Sequence, residues 1–186
     1  YTEQISGKVD KINSGSLELV SLAASSQNYY TSSPLGRYLT QQDILTRLQD
    51  RIRYVESSDL YFFYRTDSDE LLTALSNRAS TGSSYFWNQY LMLPPTQPAN
   101  TWFSVTCNGE TWLMCYYNVS QVRVGAAVRA KTLLQSLYAD TGLVQDSGFA
   151  LAGLDGTIVY SSQPDLMACG TSLAGHIPAS LIVGSH

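Results

Sequence analysis

The hydrophobic positions of the chain begin with a helical period. Within residues 1–30, apolar side chains recur every three or four positions, and one serine fills the single gap. The stripe consists of Ile5, Val9, Ile12, Ser16, Leu19 and Ala23. A heptad-like stripe of this kind predicts a long helix that packs either on its own domain or on a second copy of the chain. The pattern does not distinguish packing on the same domain from packing on a second copy.

A second helix is predicted after a break at residues 32–36, which read Ser-Ser-Pro-Leu-Gly. Thr40 is interpreted as its N-cap, and apolar residues follow at helical spacing. They are Ile44, Leu48, Ile52 and Val55. We expect this helix to end near Glu56.

From residue 59 the pattern changes to that of strands. Residues 60–64 form an aromatic run typical of a strand, and residues 71–75 are predicted to return beside it. Residues 83–93, also rich in aromatics, are predicted as a short helix that ends before Pro94-Pro95.

Three further strands and a hairpin complete the pattern. Asn108-Gly109 favours a tight turn in which Cys107 faces Glu110. The predicted strands are residues 101–107, 111–118 and 121–130, and a helix follows at residues 131–138. Asp155-Gly156 indicates another hairpin in residues 147–161. This order of helices and mostly antiparallel strands predicts an α+β fold with a sheet of five or more strands and the first helix lying along it.

Composition excludes several classes of function. The 186 residues carry a net charge of −4 and no basic stripe, which argues against nucleic-acid binding. Three cysteines without a CxxC pair do not form a disulfide framework. No run of 18 apolar residues is present to span a membrane. The start at Tyr1, without Met, is interpreted as that of a fragment of a longer protein.

Catalytic and metal-binding patterns are also missing from the sequence. The two histidines, His176 and His186, stand in a loop-like tail, and Cys169 with His176 is a poor candidate for a catalytic pair. Asp67, Asp69 and Glu70 lack the spacing of a calcium loop and are interpreted as a polar turn. We therefore predict no enzymatic activity, no cofactor and no metal.

The order of motifs resembles that of Cache domains, the PAS-like extracytoplasmic sensors of bacterial histidine kinases, chemoreceptors and related receptors. The matching features are the aromatic first hairpin, the run VGAAV at 124–128 before a helix, and GFALAGLDGTIVYSS at 148–162. The run CGTSL at 169–173 is similar to a sequence that often follows in that family. The resemblance implies a PAS-like/Cache antiparallel sheet flanked by a long N-terminal helix and shorter helices.

The resemblance also implies a division of the chain. Residues 1–56 would be an N-terminal helical segment packing on the sensor, and residues 57–186 the PAS-like Cache sensor core. Residues 147–186 either pack on that core or open a second module.

A ligand site follows from the resemblance together with the aromatic residues. Tyr61 and Phe63 share one strand face because side chains alternate with period two. The resemblance places a small molecule between the sheet and the segment around Trp87, in a pocket with aromatic walls and polar tips. The predicted site residues are Tyr61, Phe63, Trp87, Trp102, Tyr117 and Arg129.

Two departures from amino-acid-binding members bear on the ligand. The segment Tyr85-Phe86-Trp87-Asn88-Gln89-Tyr90 lacks the matching arginine, and Val128-Arg129-Ala130-Lys131 lacks the matching acid. A positive Arg129 disfavours an ammonium group and favours an anion, so we expect a carboxylate ligand.

The implied function is ligand sensing, outside the cytoplasm, by part of a transmembrane signal-transduction protein. A small molecule would bind on the sheet and act through the N-terminal helix. The membrane tether would lie outside this fragment, and the helix could mediate a homodimer. The alternative is an extracellular carbohydrate-binding or adhesion module, which would present an open aromatic strip instead of a pocket.

Overall fold

A computed structural model describes most of the chain with its side chains. The described residues are 2–25, 33–55, 59–66, 71–75, 99–107, 109–135, 148–153 and 155–175. The predicted turn at Asp67, the predicted helix at residues 83–93 and His176 lie outside them. No helix among the described residues is both long enough and apolar enough to cross a membrane.

The predicted stripe forms a helix that packs on its own domain. Helix α1 spans Thr2–Ser25 and lies against strands of the central sheet. Ile12, Ser16, Leu19 and Ala23 are buried. Ile5 and Val9, at the start of the stripe, are half-buried against the same cluster, so the stripe packs on its own domain.

Glycine in α1 allows the helix to lie close to the sheet. A Cβ atom at Gly15 would stand 2.7 Å from Cζ of Phe62, whose ring is fully buried. At Gly7, which is exposed in the same helix, an added Cβ would meet nothing within 4 Å. The conformational cost of Gly15 is therefore offset by close packing, which the sequence alone did not reveal.

The predicted start of the second helix was wrong. Helix α2 spans Pro34–Val55, so it begins before Thr40. The hydroxyl of Ser33 accepts the N–H of Gly36 at 3.2 Å, and Pro34 occupies the first helical position, where its missing N–H costs nothing. The Thr40 hydroxyl instead donates to the carbonyl of Gly36, one turn back in the helix. The Ser-Pro pair that was interpreted as a break is the cap.

Five antiparallel strands form the central sheet, as predicted. They are β1 (Leu60–Thr66), β2 (Leu71–Leu75), β3 (Phe103–Cys107), β4 (Glu110–Val119) and β5 (Val122–Arg129). Their order across the sheet is β2-β1-β5-β4-β3. Cys107 faces Glu110, as the Asn-Gly turn predicted. The fold is therefore α+β, with an antiparallel sheet and a long N-terminal helix, as predicted.

Shorter elements follow the sheet. Helix α3 covers Ala130–Leu133, and the predicted hairpin forms from β6 (Ala150–Ala152) and β7 (Ile158–Ser161). A 3-10 turn lies at Leu173–Gly175. The hairpin is a separate two-stranded sheet, yet Tyr160 of β7 is buried in the same apolar cluster as α1, α2 and the central sheet.

The two faces of the central sheet are packed differently. One face, which we call the helix-side face, contributes Phe62, Tyr64, Val124, Ala126 and neighbouring residues to a cluster with α1 and α2. The other face holds a second buried cluster, which we call the aromatic face. It comprises Tyr61, Phe63, Trp112, Met114, Tyr116 and Ala127. Because side chains alternate along each strand, consecutive residues belong to different clusters.

Candidate functional site

The aromatic face is built by strand register. Tyr61 pairs with Ala127 and Ala127 with Met114, so their side chains lie side by side across three strands. Phe63 is opposite Gly125, and a Cβ atom there would be 2.8 Å from Cζ of Phe63. The glycine thus leaves room for the phenylalanine ring over the middle of the sheet.

Aromatic rings on this face contact one another at angles that suit their quadrupoles. The ring centroids of Tyr61 and Trp112 are 5.0 Å apart with the planes tilted by 53°. Phe103 and Tyr116 meet edge to face at 6.1 Å. Such contacts add to the stabilisation that comes from burying the rings. Tyr61, Trp112 and Tyr116 are buried and Phe103 is partly buried, so these four rings do not form the open strip that an adhesion module would need.

Arginines stand at both ends of the aromatic face. The guanidinium of Arg129 lies over Trp112, 5.4 Å from the ring centroid, and that of Arg123 lies over Tyr116 at 5.2 Å. Arg65 is directly opposite Arg123 in the β1–β5 pairing. The arginines therefore flank the rings, and Arg123 and Arg129 each make a cation–π contact.

Asp59 fixes the position of Arg129. This residue immediately precedes β1 and has a positive φ of 57°, a conformation that aspartate tolerates better than most residues. Its carbonyl accepts the N–H of Arg129, and its carboxylate lies 3.6 Å from Nη1 of the same residue. The hydroxyl of Thr132 donates to that carboxylate at 3.0 Å. Arg129 is thus held at one end of the aromatic face while remaining partly exposed.

The structure brings only some of the predicted site residues together. Tyr61, Phe63 and Arg129 share the aromatic face by register. Trp102 and Tyr117 pack instead against the helix-side cluster, on the opposite side of the sheet. Trp87 lies outside the described residues. Tyr61 and Phe63 therefore cannot line the same pocket as Trp102 and Tyr117, because the two pairs lie on opposite sides of the sheet.

Sequence reasoning missed several residues of the aromatic face. Trp112, Met114 and Tyr116 alternate along β4 with period two, and that alternation was the available signal. Which of the two alternating sets of β4 joins Tyr61 depends on its pairing with β5 and β1. The predicted residue Tyr117 belongs to the other set.

Tyr117 lies beside a buried thiol on the helix-side face. Burial raises the pKa of Tyr117 to about 12, and the neighbouring Cys115 adds to the effect. Burial also raises the pKa of the Cys115 thiol, although its hydrogen bond with Tyr117 acts in the opposite sense. Both groups are therefore held neutral, which suits packing more than acid–base chemistry.

A cleft of about 610 Å³ opens at the edge of the sheet. One wall is residues 100–104, which lead into the edge strand β3, and the facing wall comes from the β6–β7 hairpin and residues 169–170. The volume is in the range of sites that hold small organic molecules. Trp102 lies in the first wall and Asp155 in the second.

Comparisons with known proteins give one solved structure to report. The ligand-binding domain of the Campylobacter jejuni chemoreceptor Tlp3, solved with L-norvaline, aligns over 94% of this chain and 75% of its own. The two sequences are 9% identical and the TM-score is 0.36. At this level neither the ligand nor the role of that receptor transfers to this chain. No protein-family model matches the sequence, and no curated protein matches it.

Proposed function

We propose that this chain is the extracytoplasmic ligand-sensing domain of a transmembrane signalling protein, such as a histidine kinase, and that it binds a small carboxylate on the aromatic face. One observation carries the proposal: every charged residue in the five strands lies on that face. These residues are Arg65, Glu110, Arg123 and Arg129. The strands place no charged residue on the helix-side face.

The charge on the aromatic face favours an anion. Three arginines stand against one glutamate, and Asp59 adds a second acid at the end occupied by Arg129. Arg65 and Arg123 stand directly opposite each other across two strands, which places two positive charges close together on this face. A guanidinium group matches a carboxylate with two parallel hydrogen bonds.

The residues at the centre of the aromatic face indicate that the part of the ligand beyond its carboxylate is hydrophobic. Tyr61, Trp112 and Met114 offer rings and a flexible thioether with few polar atoms. Sites of this kind bind molecules with an apolar body and one or two polar anchors. We therefore infer a small organic carboxylate that has a hydrophobic part, with the partly exposed Arg129 as anchor. Tyr61 and Phe63 are fully buried, so they would become walls of the site only when the face opens to the ligand. Trp87 remains a sequence prediction for the same site.

Signal output would use the opposite face of the same strands. Helix α1 lies against β4 and β5. The other side of these two strands carries Trp112, Tyr116, Arg123 and Arg129. A ligand that binds one arrangement of these strands more tightly shifts the population toward it, and α1 follows. A membrane tether beyond this chain and a homodimer through α1 belong to this proposal.

The test is a thermal-shift screen of small carboxylates, each paired with its matching amide. At a hundredfold excess over Kd, a ligand stabilises the native state by about 2.7 kcal/mol, which corresponds to roughly 5–10 °C in Tm for a chain of this size. We expect carboxylates to raise Tm and the amides to have little effect. Hits among amines with none among carboxylates, or no hit at all, would contradict the proposal.

Matched variants locate the site. Arg129→Lys keeps the charge but loses the planar fork, so it should weaken the carboxylate shift. Tyr61→Phe removes one hydroxyl from the aromatic face, and Tyr64→Phe removes one from the helix-side face of the same strand. The first should reduce the ligand shift and the second should not. A shift that survives both Arg129→Lys and Tyr61→Phe places the ligand elsewhere.

A further inference from the structure

The cleft at the sheet edge has a charge opposite to that of the aromatic face. Asp155 is the only charged side chain among the described residues that line it. Asp155 stands at the turn of the β6–β7 hairpin, next to Gly156, whose φ of 77° permits the tight turn. The carboxylate is exposed at the cleft, so a ligand can reach it without displacing other elements.

The hairpin holds this carboxylate in place and in its charged form. Oδ1 accepts the backbone N–H of Thr157 and Oδ2 accepts the Thr157 hydroxyl, each at 3.0 Å. These bonds, with the backbone one foremost, lower the pKa of Asp155. An ionised carboxylate has about four acceptor positions, so two such bonds leave it able to accept more.

The opposite wall supplies an aromatic surface. Trp102 is half-buried between the Asn100 turn and β3, and the N–H of Asn100 donates to the carbonyl of Tyr116 at 2.8 Å. This bond ties the start of the wall to β4. A cation near an indole ring is attracted by the ring face, and an apolar group packs against the same ring.

We propose that this cleft binds a small organic cation, with its ammonium group at Asp155 and its apolar part against Trp102. The described part of the cleft offers one negative group, an aromatic ring and no positive group. An amine satisfies all three conditions, and a carboxylate would be repelled by Asp155. The cleft adjoins the aromatic face through Phe103, but its charged group is Asp155 and not Arg129. It therefore adds to the function proposed above and does not depend on it.

Trp102 also connects the cleft to the N-terminal helix. Its indole N–H donates to Oδ1 of Asn13 in α1 at 3.2 Å, so one ring both lines the cleft and contacts the helix. A ligand that fixes the Trp102 ring therefore restrains Asn13 and the helical turn around it. The cleft is in this way a regulatory site acting on α1.

Calorimetric titration with two molecules that share a phenethyl group tests the charge. They are phenethylamine and phenethyl alcohol, which present an ammonium and a hydroxyl. We expect the amine to bind and Asp155→Asn to lower its affinity roughly tenfold or more, because a hydrogen bond to a charged group is lost. Asp165→Asn, an exposed aspartate beyond β7, is the matched control and should leave binding unchanged.

Hydrogen exchange in α1 tests the link to the helix. Phenethylamine should slow amide exchange around Asn13, and Trp102→Phe, which keeps a ring but removes the indole N–H, should abolish that slowing while the amine still binds. Slowing that persists in Trp102→Phe overturns the link. No amine binding at millimolar concentration, equal binding of the alcohol, or full binding by Asp155→Asn overturns the site. None of these outcomes affects the carboxylate shift, so the two proposals fail independently.

Discussion

The two faces of the central sheet share strands but differ in what they bury. The helix-side face is uncharged and is covered by α1 and α2 through residues such as Phe62 and Val124. The aromatic face buries rings and a methionine and also carries every charged residue of the strands. Its three arginines are only partly buried, and even partial burial of a charge costs free energy that apolar packing does not.

Under the function proposed above, the difference separates packing from recognition. Arg65, Arg123 and Arg129 are only partly buried, and apolar residues of similar volume would pack there at lower cost. On the helix-side face, the polar groups Cys115 and Tyr117 are held neutral. We expect substitutions on the helix-side face to change stability, and those on the aromatic face to change stability and ligand response together.

The largest effect should come from filling the contact between α1 and the helix-side face. Gly15→Val places atoms where the buried Phe62 ring lies, and overpacking of this kind costs about 2–3 kcal/mol. Gly7→Val, in the same helix but in open space, should change the free energy of unfolding by roughly 0.5 kcal/mol or less. Urea unfolding of both variants measures the difference. Equal effects would mean that the close contact is not important for stability.

Removing a cation from the aromatic face should have an intermediate effect. Arg129→Met leaves the carboxylate of Asp59, which is 15% exposed, without its cation, and we expect a loss of about 1–2 kcal/mol. Arg47→Met breaks an exposed pair with Asp43 and should cost about 0.5 kcal/mol or less. If chemical denaturation gives the two variants the same stability, Arg129 does not interact with the face as the structure indicates.

A smaller effect on the free energy of unfolding is expected at alkaline pH, and it comes from Tyr117 on the helix-side face. The folded protein raises the pKa of Tyr117 from about 10 to about 12, so it holds that proton more tightly than the unfolded chain does. The free energy of unfolding should therefore fall as the pH rises from 10 toward 12. Tyr117→Phe should reduce this fall, whereas Tyr38→Phe, on the exposed side of α2, should not. Unfolding curves at several pH values decide between them.

Local patterns predicted most of the fold. The α1 stripe, the strand alternation, the Asn-Gly turn and the Asp-Gly hairpin each depend on neighbouring residues, and each appears in the structure. The predicted start of α2 was wrong because the pair Ser33-Pro34 is compatible with two local structures. A serine and a proline can end one segment or cap the next, and only the hydrogen bond to Gly36 distinguishes them.

The candidate site was less predictable because it depends on pairing between distant strands. Alternation fixes which residues of β1 share a face, so Tyr61 and Phe63 were placed together. Whether Tyr116 or Tyr117 joins them depends on the β1–β5 and β5–β4 registers, and a shift of one residue exchanges the two faces. No local signal in the sequence fixes a register between β1 and β5. The cleft at Asp155 was missed for a similar reason, since its walls are far apart in sequence.

The sheet order also determines when the chain can complete its core. Strand β1 pairs with β5, as in Tyr61 opposite Ala127, whereas β3, β4 and β5 follow one another directly. During synthesis the residues of α1, α2 and β1 leave the ribosome first, but the strand that joins them to the sheet is made much later. Pairing of distant segments carries a loop-closure cost and slows folding. The apolar stripe of α1 also contacts α2 and β4, but it remains without part of its native cover until β5 has emerged. In that period chaperones would protect it from aggregation.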